Sequence, residues 1–218
     1  MENRLPKSVL YAAYFARSND YPAFHVPIMI FYGTQYLNLS ITATILLFYG
    51  ISATSNFFEI PAGVFADRYG RRLSYVIGAV LLTCGYAVWL FKAPIIVLAI
   101  ARLIASIGDS MTSGTIDAMV YEEHERKNIG SSYLHYRSKS SAGFYILRII
   151  GMPLGSLLFS IKPQLPIVAT LIAIVSSALV SFLIPDNNVM PEKQTSKSLL
   201  KDTVVGVFTN RPVRLLIV

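Results

Sequence analysis

With 218 residues, 54% of them hydrophobic, 14% charged and a formal net charge of +7, the chain is too apolar for an ordinary soluble domain, in which about 25% of residues are charged. Its mean hydropathy of +0.53 makes a lipid bilayer the natural solvent and excludes most soluble enzymes. The basic residues lie between apolar runs rather than in one block, a placement that speaks for membrane orientation and against a nucleic-acid partner.

A helix needs about 20 residues to cross the hydrocarbon core, and six apolar runs are long enough, approximately 8–33, 41–66, 73–91, 93–121, 140–161 and 165–185. They are continuous and lack the apolar/polar alternation of barrel strands. The first is no secretory signal, because Arg17 and Asp20 interrupt it and no small-x-small cleavage site follows. Asn38-Leu39-Ser40 matches a glycosylation sequon, but Ser40 stands where a cap of the second helix belongs. Trp89 and Phe91 close the third run, where an aromatic belt would meet the headgroups. Cys84 is the single cysteine; it excludes a disulfide within the chain and reads as a small apolar packer. No phosphate-binding glycine loop, zinc-ligand spacing or nucleophile–base pair is present, so no enzyme, cofactor or metal centre is expected.

Residues 1–185 therefore read as a six-helix transmembrane bundle. Residues 186–211 are polar and read as a cytoplasmic linker, weakly amphipathic over 197–208, and 212–218 read as the start of a truncated seventh helix. With the N-terminus in the cytoplasm, fourteen of the nineteen Lys and Arg residues fall in inner loops and tails, and only Lys92 and Lys162 in outer loops. The bias predicts a multi-pass protein with a cytoplasmic N-terminus.

Between the second and third runs the chain reads Gly63-Val64-Phe65-Ala66-Asp67-Arg68-Tyr69-Gly70-Arg71-Arg72. Glycine fits so short a reversal because it adopts positive φ without a Cβ clash. Gly63 is expected to admit a neighbouring helix closely, and Asp67 to cap the third helix and meet its positive N-terminal dipole.

Gly63, Asp67, Arg68, Gly70, Arg71 and Arg72 reproduce the G-x-x-x-D-R-x-G-R-R signature between helices 2 and 3 of major facilitator superfamily transporters, which this chain resembles. The flanking residues 58–63 and 113–122 look like the bacterial drug:proton antiporter branch. The resemblance implies an all-α membrane fold of six helices in two three-helix repeats, the N-terminal half of a twelve-helix plasma-membrane transporter. Its partners would be the bilayer, a small organic or drug-like substrate, protons and a C-terminal six-helix half. Alternatives are a proton-coupled importer of a small solute and a truncated fragment that needs a partner half. The family also implies a cytoplasmic latch: Asp67, Arg68, Arg71 and Arg72 pair with an acid at the inner end of helix 4. That acid is Glu122, with Glu123 and Asp117 as competitors.

Ionisable groups inside a bilayer are costly unless paired or hydrated, which marks Arg17, Asp20, Glu59, Arg102, Asp109, Asp117 and Arg148. Arg17 and Asp20 are spaced i, i+3 and predicted to pair; Arg102 and Asp109, seven apart, share one helix face. One reading makes Asp20 or Asp109 a proton-coupling carboxylate tuned by Arg17, Arg102 or Arg148. The other makes these groups structural ion pairs joining helices 1, 4 and 5. Glu59 reads as structural, and His25 as an interface residue or a group titrating near neutral pH. Gly143, Gly151, Pro153 and Gly155 favour close packing and a loosened backbone in helix 5, partly resembling the glycine- and proline-rich antiporter signature there. Tyr11, Tyr14, Phe15, Phe24 and Tyr145 face lipid or pack, or else line an apolar cavity.

Overall fold

A computed structural model describes residues 5–18, 24–128 and 130–185. Asp20, the linker expected at 186–211 and the apolar stub at 212–218 lie outside the described residues. The described residues form helices and connecting turns, with no strand among them.

The first run opens as α1 (Lys7–Ser18), which buries Ala12, Ala13 and Ala16. Its second half is irregular: a 3-10 turn at Val26–Ile28, with Pro27 inside it, leads into α2 (Met29–Phe31) and a π turn at Tyr32–Tyr36. In the second run Ser40 does cap α3 (Ile41–Ile45), its Oγ accepting from the Ala43 amide at 3.2 Å. A π turn at Leu46–Gly50 and a 3-10 turn at Ser52–Thr54 carry the chain into α4 (Ser55–Tyr69). Gly70 reverses the chain with φ 103, a conformation L side chains rarely adopt. It precedes α5 (Arg71–Val88) directly.

The fourth run, expected to be one helix, breaks at Ser113-Gly114 into α6 (Ile95–Thr112) and α7 (Thr115–Arg126), with Gly114 at φ 69. The fifth begins ten residues before the expected boundary, as α8 (Gly130–Ile161), and continues through Pro153. The sixth is α9 (Leu165–Ser181).

Small residues let α5 and α6 pack closely. A Cβ on Gly78 would stand 2.9 Å from the Gly108 carbonyl oxygen, and one on Gly85 2.6 Å from that of Ala101. Two apolar clusters flank the middle of the bundle. One gathers Met29, Phe48, Leu82, Tyr86, Trp89, Leu98 and Ile167; the other gathers Ala13, Ala16, Tyr75, Ile116, Met119 and Ile184. Trp89 corrects an expectation: it is 2% exposed, against Phe48 at 4.2 Å between ring centroids, rather than set at the headgroups. Phe91 alone of that pair is exposed.

Among the described residues, three stretches are long and apolar enough to cross a membrane: Ile41–Tyr69, Ile95–Arg126 and Tyr133–Ile161. At ~1.5 Å per residue each exceeds the ~30 Å hydrocarbon thickness. They present Leu46, Phe57, Ile60, Ile96, Ile149 and Ile161 outward, as helices facing lipid do.

Candidate functional site

Where the two apolar clusters meet, the bundle is polar. Arg17 follows Ala16 of one cluster and Arg102 follows Ala101 of the other. Both line a cavity of about 300 Å³, with Ser52, Ser55, Glu59, Asp109, Ser110, Thr112, Ser113 and Phe144. A second cavity, about 290 Å³, shares Glu59, Ser110 and Ser113 and extends past Gly63, Ala66 and Gly114 to Arg71. Their common lining makes one polar path from the bundle centre to the α4–α5 turn.

Arg102 is buried. As the seven-residue spacing predicts, it shares a face of α6 with Asp109, its Nη2 standing 3.4 Å from Asp109 Oδ2. That distance exceeds the 2.7–2.9 Å usual for charge-assisted bonds. Stronger contacts hold the guanidinium elsewhere: Nε donates to Ser52 Oγ at 2.9 Å, Nη2 donates to the same oxygen, and Nη1 donates to the Tyr86 hydroxyl at 3.2 Å. Ser52 reaches Arg102 from the segment where the second run switches from π to 3-10 geometry, a local rewinding often found at functional sites.

Arg17 finds an unexpected partner. Its Nε stands 3.0 Å from Oδ2 of Asp117, on the first turn of α7, and its guanidinium lies 4.9 Å over the Phe144 ring. Arg137 of α8 contacts the same carboxylate oxygen, so Asp117 joins α1, α7 and α8. Its Oδ1 is buried without a hydrogen-bond partner among the described residues. The pairing predicted with Asp20 lies outside the described residues. Arg148 lies 5.1 Å over the same Phe144 ring, outside the cavity lining. Glu59 lines both cavities.

At the α4–α5 turn Arg71 stands between two acids, with Nε 2.5 Å from Glu122 Oε1 and Nη2 3.2 Å from Asp67 Oδ1. Of the three acids considered for this contact, Glu122 makes it. Glu123 is held by Arg126 and Lys127, and Asp117 by Arg17 and Arg137. Asp67 does not cap the third helix: it lies in α4, and the cap position of α5 is Gly70, with no side-chain bond. Gly63 admits no helix either, since a Cβ there would meet nothing within 4 Å; it borders the second cavity. Arg72 donates to the Ile184 carbonyl, and Arg68 lies 5.3 Å over the Tyr69 ring.

Ser52, Tyr86 and Thr170 were not singled out in the sequence, because a lone hydroxyl in an apolar run carries no pattern. His25 is no interface residue. It is buried, with Nε2 3.2 Å from the Tyr86 hydroxyl and Nδ1 3.1 Å from Thr170 Oγ1.

No curated protein matches the chain. The family model described as Major Facilitator Superfamily matches residues 10–218. That match covers nearly the whole sequence, including the Gly63–Arg72 signature and every charged group of the polar path, and the chain belongs to the Major Facilitator Superfamily of membrane transporters.

Proposed function

We propose that the chain is the N-terminal six-helix half, arranged as two three-helix repeats, of a proton-coupled exporter of small organic compounds in the plasma membrane, with its N-terminus in the cytoplasm. The observation that carries this reading is the polar cavity between the apolar clusters, where Arg17, Arg102, Glu59 and Asp109 meet in about 300 Å³. That volume lies at the lower end of small-molecule sites, about 300–1,000 Å³, as expected for a cavity completed by a second bundle. Charged groups at such depth persist where they bind substrate or ions. Asp109 is the proton-coupling carboxylate: its contact with Arg102 is long, and the arginine has Ser52 and Tyr86 to hold it when Asp109 is neutral.

In alternating access a two-state element must be biased by the ligand. Arg71, between Asp67 and Glu122, is that element here, a cytoplasmic latch that also includes Gly63, Arg68, Gly70 and Arg72. The test uses inside-out vesicles from native cells with and without the gene, so that any partner half is present. With an imposed pH gradient, a panel of amphipathic amines and neutral aromatics is added and proton movement followed with a pH-sensitive dye. Gene-dependent proton release on adding a compound supports export. Gene-dependent movement in the opposite sense favours the importer, and identical traces with every compound reject coupled transport.

A further inference from the structure

His25 is a buried titratable group outside the polar path. His25 opens the 3-10 turn of the first run, and its ring centroid lies 4.9 Å from that of Tyr86. It stands in a buried series of polar groups crossing the bundle: Arg102 on α6, Tyr86 on α5, His25, and Thr170 on α9.

Hydrogen-bond chemistry gives this series a direction. A guanidinium only donates, so the Tyr86 oxygen accepts from Arg102 Nη1 at 3.2 Å. The Tyr86 proton is then free for His25 Nε2, which must be the bare nitrogen to receive it. That leaves the ring proton on Nδ1, which donates to Thr170 Oγ1. The Thr170 hydroxyl in turn donates to the Pro166 carbonyl at 2.9 Å. The far end is a helix backbone, a fixed point. The near end is a cation on the cavity wall, beside a further void of about 90 Å³ lined by His25, Ser52, Tyr86 and Arg102 among others. Room therefore exists beside the guanidinium, and the bond from Nη1 to Tyr86 opposes its departure from the wall.

We propose that His25 is a positioning residue which, with its proton on Nδ1 and anchored to Thr170, acts through Tyr86 to hold the Arg102 guanidinium on the cavity wall. Its importance for transport rests on the cavity reading above, whereas the following test does not use transport at all.

The full chain is reconstituted in lipid bilayers and its arginines are modified with the dicarbonyl phenylglyoxal, site by site, with mass-spectrometric readout. Tyr86→Phe and His25→Leu are expected to raise the modification rate of Arg102 about tenfold, equivalent to ~1.4 kcal/mol. Arg17, on the same cavity but held by Asp117, serves as the internal reference and stays within about twofold. His25→Gln, which keeps an acceptor for the Tyr86 hydroxyl, is expected to return Arg102 close to the wild-type rate. Nitrogen NMR of histidine-labelled wild-type chain, with His25 assigned by its loss in His25→Gln, is expected to show a protonated Nδ1 and a bare Nε2. An unchanged Arg102 rate, a parallel rise at Arg17, or a His25 proton on Nε2 overturns the proposal. An unchanged Arg102 rate in Tyr86→Phe, which removes one oxygen and leaves His25 in place, overturns the proposal even if the His25 variants do not fold. If labelling and NMR agree with it while vesicles show no coupled transport, the cavity reading fails and the positioning role stands.

Discussion

Reversing the charge of Arg71 separates a latch from a mere membrane-orientation residue. Arg71 contacts Glu122 at 2.5 Å and Asp67 at 3.2 Å, and all three side chains are about one-third to one-half exposed. Pairs so hydrated contribute at most about 1 kcal/mol each. Arg71→Glu replaces two attractions with two repulsions; at about 0.5 kcal/mol for each of the four, the change is roughly 2 kcal/mol, which shifts the closed–open equilibrium about 30-fold. Substrate-driven proton movement in vesicles should fall to background in this variant, while immunoblots of the membrane fraction show normal insertion. Combining it with Glu122→Arg restores one pair but leaves the new carboxylate at position 71 one turn from Asp67, so activity should return partially. Wild-type transport by Arg71→Glu would refute the latch. A double variant no more active than the single one would refute the Arg71–Glu122 pair as its working contact.

The remaining predictions concern the fold. Gly85→Ala forces a Cβ to within 2.6 Å of the Ala101 carbonyl oxygen and 2.7 Å of Ala105 Cβ; the overpacking should cost about 1–3 kcal/mol and lower the unfolding temperature in detergent. Gly63→Ala, with open space at its Cβ, should leave that temperature unchanged or raise it slightly, and a drop as large as for Gly85→Ala would contradict the α4 placement. Trp89→Ala removes a side chain buried against Phe48 and should destabilise by about 3–5 kcal/mol; a surface-like effect below about 0.5 kcal/mol would return Trp89 to the interface. Cys84, read from the sequence as an apolar packer, is instead exposed on α5, so in intact cells a lipid-soluble maleimide should label it and a membrane-impermeant one should not. Labelling by both would argue against its burial in lipid.

Features that depend on one segment were legible in the sequence. The Gly70 turn, the Ser40 cap and the shared face of Arg102 and Asp109 follow from local conformational preference and helical spacing, and the structure has all three. Features that depend on which helices meet were not. The described acid of Arg17 is Asp117, a hundred residues away, because α1, α7 and α8 converge there. His25 read as an interface histidine until α5 and α9 supplied partners on both sides of its ring. The break between α6 and α7 had a local signal in Ser113-Gly114, a dipeptide that marks turns, but an otherwise continuous apolar run outweighed it. Trp89 misled because it stands at a helix end, where an aromatic side chain meets either the headgroups or a neighbouring helix.

If the cavity between the clusters couples substrate to protons through Asp109, a carboxamide at that position breaks the coupling without closing the path. In native-cell vesicles, with an exported compound identified from the panel, Asp109→Asn should abolish compound-driven proton release while labelled compound still exchanges across the membrane. Proton release at the wild-type rate in that variant would exclude Asp109 as the coupling carboxylate.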